Sequence, residues 1–170
     1  MNEELLWQFD LTWALADLHL AAVVEDDFLW EPAPLCWTVR PDAAGVWRPD
    51  WAESEPDPLP VPTIAWLTWH ISWWWSLAID NVTGLSLRGR ADVTWPGDGP
   101  TAVAWIRELA TQWRQLLAGL TPDELARTSS FPWDAAAGRT VTHTALWVNT
   151  ELTKNMAEIG QLRILRAASL

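Results

Sequence analysis

The stretch TIAWLTWHISWWWSLAIDN, residues 63–81, decides how the chain is read. It contains neither proline nor glycine, and its apolar residues recur at spacings of three and four, the period of a helix rather than a strand. A helix is expected from about Thr63 to Val82, with Gly84 as its stop. The stretch carries five tryptophans and His70, one of three histidines in the chain. At about 100° per residue, Trp66, Leu67, Trp73, Trp74 and Leu77 surround His70, while Thr68 and Ser72 fall on the opposite side. His70 is therefore expected at the centre of a buried stripe. A neutral imidazole there needs a partner for its N–H. Two roles stay open: a core histidine satisfied by a carbonyl, carboxylate or water, or a metal ligand or proton-transfer group. Trp66, Trp73 and Trp74 read first as packing, since rings at helical spacing bury large areas.

Outward from this helix, three more segments carry the same period. One spans about Glu3 to Val24, with Leu6, Phe9, Trp13, Ala16 and Leu20 as its stripe. Another spans about Thr101 to Leu117, with Trp105, Leu109, Trp113 and Leu116, and is expected to end at Gly119. The last runs from about Val141 to Arg166. A short helical turn is expected at TPDEL, where Thr121 suits the N-cap, Pro122 the first position and Glu124 a capping box.

The connection over residues 31–62 differs in composition. It holds eight of the 12 prolines, together with Trp37, Trp47 and Trp51. Prolines remove amide donors and disfavour helix at the preceding residue. An irregular loop is expected, packed onto the body by its tryptophans. Four long helices with no strand pattern predict an all-α fold, a four-helix bundle forming a single domain over residues 1–170. The 85–100 connection can span about 50 Å when extended, so the second and third helices need not be antiparallel.

Composition narrows the functions. With 49% apolar and 19% charged residues the chain can bury a core. No apolar run reaches the ~18 residues of a transmembrane helix. The start, MNEELLWQFD, is acidic where a signal peptide is basic. Cys36 is the sole cysteine, which excludes an internal disulfide and a cysteine-based metal site. A cytoplasmic protein is expected. Twenty-two acidic residues stand against 11 basic ones, a net charge of −11, which opposes contact with nucleic acid or an anionic membrane surface. Sixteen tryptophans without a tyrosine, and ten arginines beside one lysine, read as coding bias rather than function.

The last helix has two stripes. Val148, Leu152, Met156 and Ile159 form the apolar one. Trp147, Glu151, Lys154, Glu158, Gln161 and Leu165 form a largely polar one, in which Glu151–Lys154 and Lys154–Glu158 have the spacings of helix ion pairs. A solvated, salt-bridged face is the simplest reading.

The order of WLTWHI on the second helix, ELTKNMAEIGQLR on the last, and a Trp- and Pro-bearing loop before the first of these resembles the DinB/YfiT-like superfamily, particularly its actinobacterial DinB-like proteins. The resemblance implies a bundle of up-down-down-up topology, a homodimer, and a divalent metal site with one ligand from the second helix and two from the fourth. It also implies a small-molecule ligand; some members act with low-molecular-weight thiols of the mycothiol or bacillithiol type, as isomerases and S-transferases. His70 matches the second-helix ligand, and Gly160–Gln161 sets the register that places the other two on Lys154 and Glu158. Glu158 suits Zn or Ni. Lys154 as an ammonium repels a cation, and Glu151 lies seven residues from Glu158, roughly 10.5 Å along the helix.

Two functions follow from the resemblance. In the first, Lys154 occupies the metal's place, no cofactor is held, and His70, Lys154 and Glu158 form a buried ionic cluster. The protein then binds a small ligand near Lys154, Glu151, Asn155, Trp66 and Trp74, an acidic one through Lys154, or serves as a dimeric scaffold. In the alternative, His70 and Glu158 hold Zn or Ni in a thiol S-transferase or isomerase.

Overall fold

The 63–81 stretch forms its helix because both ends are capped locally. The Thr63 hydroxyl accepts the Trp66 N–H, and Gly84 closes the helix in the left-handed region at φ 76°. A computed structural model describes residues 2–169 and is mostly helical. The long helices are α1 (Asn2–Ala22), α2 (Ile64–Thr83), α3 (Gly99–Gly119) and α5 (Val141–Ala168), with a short α4 (Pro122–Ala126) between the last two. The Thr121–Glu124 capping box opens α4 as expected. α3 starts earlier than its periodicity predicts. Asp98 caps it by accepting the Thr101 N–H, and Pro100 sits in the first turn, where no intrahelical bond needs its missing donor. Gly119 is the last helical residue, and Leu120 takes the cap.

α1 packs against α3 and α5, and α2 packs against the same two helices. Arg114 reaches Asp10 at 2.8 Å and Arg107 reaches Asp17 at 2.7 Å, which sets α1 head to tail against α3. Asn149 donates to Gln8 at 3.0 Å, and the His19 ring lies against Gly160, so α1 and α5 run in the same direction. One continuous core fills the space between the four helices, with Trp69, Trp74, Trp75, Trp113, Phe9 and Leu152 among its fully buried side chains.

Two expectations are corrected here. The first concerns α2, which is buried nearly all round rather than along one stripe. Thr68 and Ser72, expected opposite the core, are fully buried. The connection after α2 covers them: Trp95 Nε1 donates to Thr68 at 3.0 Å and Trp69 Nε1 donates to the Val93 carbonyl at 2.8 Å. Thr68 and Ser72 return their own hydroxyl protons to α2 carbonyls, so neither is buried unpaired.

The second concerns residues 31–62, expected to lack strands. Four short ones form: β1 (Cys36–Trp37), β2 (Val39–Pro41), β3 (Trp47–Pro49) and β4 (Val61–Pro62). β2 and β3 make an antiparallel hairpin, and β1 pairs with β4 in parallel. Pro41, Pro49 and Pro62 end their strands, where a lost donor interrupts least. The hairpin turn is built by Asp42, whose Oδ1 accepts the Ala44 and Val46 N–H groups, with Gly45 at φ 79°. Trp37, Trp47 and Trp51 do pack this segment onto the core. Among the described residues no helix is long and apolar enough to cross a membrane.

Candidate functional site

The helical repeat that buries α2 also builds one wall of a cleft. Residues four apart on a helix stack, and here Trp66 lies on His70 with centroids 4.9 Å apart and planes 14° from parallel. Trp37 of β1 continues the stack on Trp66 at 5.1 Å, and Trp51 follows Trp37 at 6.3 Å. Trp66 Nε1 donates to the Asp50 carbonyl at 2.8 Å, which fastens the 31–62 segment to α2. Between this segment, α2 and α5 lies a cleft of about 300 Å³. The segment contributes Trp37, Trp51, Glu55, Leu59, Pro60 and Pro62; α2 contributes Trp66, Leu67 and His70; α5 contributes Lys154, Asn155 and Glu158.

The polar stripe of α5 does turn toward His70, but Glu151 is the carboxylate that meets it. His70 Nε2 lies 3.7 Å from Glu151 Oε1. That is beyond hydrogen-bond length, so the contact is ionic only while the imidazole carries a proton. Lys154 Nζ lies 2.5 Å from the same oxygen. Burial alone would push the Glu151 carboxyl up; His70 and Lys154 outweigh it and hold the group below the usual glutamate value. The other ring nitrogen, Nδ1, is buried with no hydrogen-bond partner. Lys154 is about half exposed, so the three groups form a rim cluster rather than a sealed one.

Glu158 has a different partner. Asn155 Nδ2 donates to its Oε2 at 3.0 Å, and Trp74 Nε1 donates to Asn155 Oδ1 at 3.1 Å. Asn155 is almost fully buried, so its amide is a fixed relay between a core indole and a cleft carboxylate. Trp74 lies in the core beneath the site and, like Glu151, is not part of the cleft lining. Reasoning from the helices missed Glu55, and it placed Trp37 and Trp51 on the body without assigning them to the site. The one available signal was a Trp- and Pro-rich segment directly preceding the His70 helix.

The donor set does not fit a divalent metal. The carboxylate against His70 already carries an ammonium, and Glu158 is oriented by an amide. Among the described residues, no group of three or more His, Cys, Asp or Glu side chains is placed to hold one. The remaining histidines serve the fold. The His19 ring fills the space a side chain at Gly160 would need, and His143 Nδ1 caps α5 by accepting the Thr140 N–H at 3.2 Å.

Comparison with known families returns one finding. A family model described as the DinB superfamily matches residues 8–159. No curated protein matches the chain.

Proposed function

The chain belongs to the DinB superfamily, and from that premise we propose that it is a metal-independent member whose cleft binds a small molecule. The observation that carries this reading is Lys154 Nζ at 2.5 Å from Glu151 Oε1, with His70 facing the same oxygen. An ammonium in that position supplies the positive charge a bound cation would supply, and it excludes that cation by repulsion. His70 faces the Glu151 carboxylate through Nε2 at 3.7 Å, and that carboxylate is already engaged by Lys154. What remains is a concave, aromatic surface with a few placed polar groups, the usual make-up of a ligand site.

The rest of the reading follows the family. The antiparallel α1–α3 and parallel α1–α5 pairings support an up-down-down-up bundle. One continuous core supports a single domain over residues 1–170. α1 exposes Trp7, Leu11, Leu15 and Leu18 on one side, and we assign that face to a homodimer. The acidic balance of the chain supports a cytoplasmic protein that binds neither nucleic acid nor membrane.

Elemental analysis of untagged protein, purified without added metal, tests the central claim. Less than about a tenth of an equivalent of Zn or Ni is expected, since a closed site needs three or more donors. Near-stoichiometric metal that disappears in His70→Ala would overturn the claim, in favour of a metal-dependent thiol S-transferase or isomerase.

A further inference from the structure

The charge left over in the cleft points to the kind of molecule that fills it. Among the described residues Lys154 is the only Lys or Arg in the lining, and its ammonium is held on Glu151, which is not part of that lining. Glu158 and Glu55 remain as carboxylates with no cationic partner among the described residues. Glu158 is also pre-oriented: one oxygen accepts from Asn155, itself fixed by Trp74, and the second has no protein partner among the described residues. Opposite charge is therefore wanted at one fixed point.

The aromatic wall supplies the second, independent observation. The Arg90 guanidinium sits 4.6 Å from the centroid of Trp51, so a ring of this group already accepts a cation on its face. Tryptophan is the side chain that does this best, through its negative π surface. Near-parallel Trp37 and Trp66 continue the same stack toward His70. Trp66 is sandwiched between Trp37 and His70 and so offers the cleft its ring edge, an apolar contact for a carbon body. A chain carrying −11 overall adds a field that draws cations and repels anions.

We propose that the cleft selects a small organic ammonium ion, its charge on Glu158 and its carbon body against Trp37 and Trp66. This rests on the reading of the cleft as a metal-free binding site, and it narrows that reading to one charge class. It replaces the acidic ligand expected from Lys154, whose charge is neutralised within the protein.

Two probes of matched skeleton and opposite charge test it on the full chain, with chelator present: phenethylammonium and 3-phenylpropionate. Binding is read by calorimetry and by the indole N–H signals in nitrogen-15 NMR. Phenethylammonium is expected to bind at least about tenfold more tightly than 3-phenylpropionate, as a charge-assisted contact on an aromatic wall requires. Glu158→Gln keeps an acceptor for Asn155, so the fold and Tm should hold while ammonium affinity falls about tenfold. Lys154→Met should not weaken it. Equal or tighter binding of 3-phenylpropionate, lost in Lys154→Met, would overturn the ammonium assignment and leave the binding-site reading standing. Binding of neither probe, or an unchanged affinity in both Glu158→Gln and Glu55→Gln, would overturn the assignment. If the untagged protein also carries near-stoichiometric metal, the metal-free reading fails with it.

Discussion

His70 Nε2 and Glu151 Oε1 stand 3.7 Å apart across the α2–α5 seam, and Lys154 Nζ shares the same carboxylate oxygen at 2.5 Å. A carboxylate held this way titrates visibly in stability. Glu151 ionises more readily in the folded chain than the ordinary value of 4.5, because His70 and Lys154 outweigh the cost of burying it.

The sign follows from linkage. A lowered folded pKa contributes stability in full above the unfolded value and loses it as pH falls through the folded one. Glu151→Gln should therefore cost about 1 kcal/mol near neutrality, the scale of a partly exposed ion pair. The gap between wild type and variant should close as pH drops below 4.5. Thermal unfolding of both proteins from pH 7 to pH 3, about the range over which a carboxylate titrates, checks this. A gap that is constant with pH would mean the carboxylate's charge contributes nothing.

Gly99 and Phe28 give a packing prediction. A Cβ at position 99 would lie 2.1 Å from the Phe28 ring, which is itself buried against Trp95. Gly99→Ala should destabilise by about 1–3 kcal/mol through overpacking, more than the modest helix propensity gained at a first-turn position. Urea unfolding measures it. Phe28→Leu in the same chain should recover part of the loss by vacating the contact.

These two sites separate what the sequence makes legible from what it hides. The helices are readable because each carries its own 3.6-residue period, and the caps at Thr63, Gly84 and Thr121 are made by neighbours in sequence. Gly99–Pro100 reads as the end of the 85–100 connection because its role, letting α3 begin against Phe28, depends on a residue 71 positions away. The burial of Thr68 depends in the same way on Trp95 arriving from the next connection. At the site, the helical period identifies the polar stripe of α5, and the register anchored on Gly160–Gln161 singles out Lys154 and Glu158 on it. It does not say which turn of that stripe meets His70. Glu151, Lys154 and Glu158 share a face, and only the axial offset of α2 against α5 selects Glu151. The strands of the 31–62 segment were hidden because each is two or three residues long, too short for a period of two to register, and β2, β3 and β4 each end in a proline.

The Trp74–Asn155–Glu158 relay makes its own prediction. Asn155→Ala leaves the Trp74 indole N–H buried without a partner, which should cost about 1–3 kcal/mol. It should also shift the Trp74 indole resonance. Glu158→Ala removes only the outer end of the chain, which is half-buried, and should cost less than about 1 kcal/mol. Chemical denaturation of the two variants side by side tests the ordering. If Glu158→Ala proves the more costly, the relay orients nothing.

The homodimer we propose makes a prediction on the α1 face. At about 100° per residue, Trp7, Leu11, Leu15 and Leu18 fall on one side of α1, all exposed, and Leu146 of α5 borders them. The acidic residues Asp10 and Asp17 are turned to Arg114 and Arg107 of α3, so they do not charge this side. Glu3 and Glu4 place charge only at the N-terminal end of this side, and the apolar stretch over Leu11, Leu15 and Leu18 is costly to leave in water and matches a second copy of itself. Sedimentation of the wild-type chain at about 50 μM, a concentration at which a micromolar dimer is populated, should report a dimer. Leu11→Asp with Leu15→Asp should convert it to a monomer. Because both positions are exposed in one protomer, the monomer's own unfolding free energy should stay within about 0.5 kcal/mol per site. A wild type that is monomeric at that concentration removes the homodimer, and a double variant that remains dimeric moves the interface to another face.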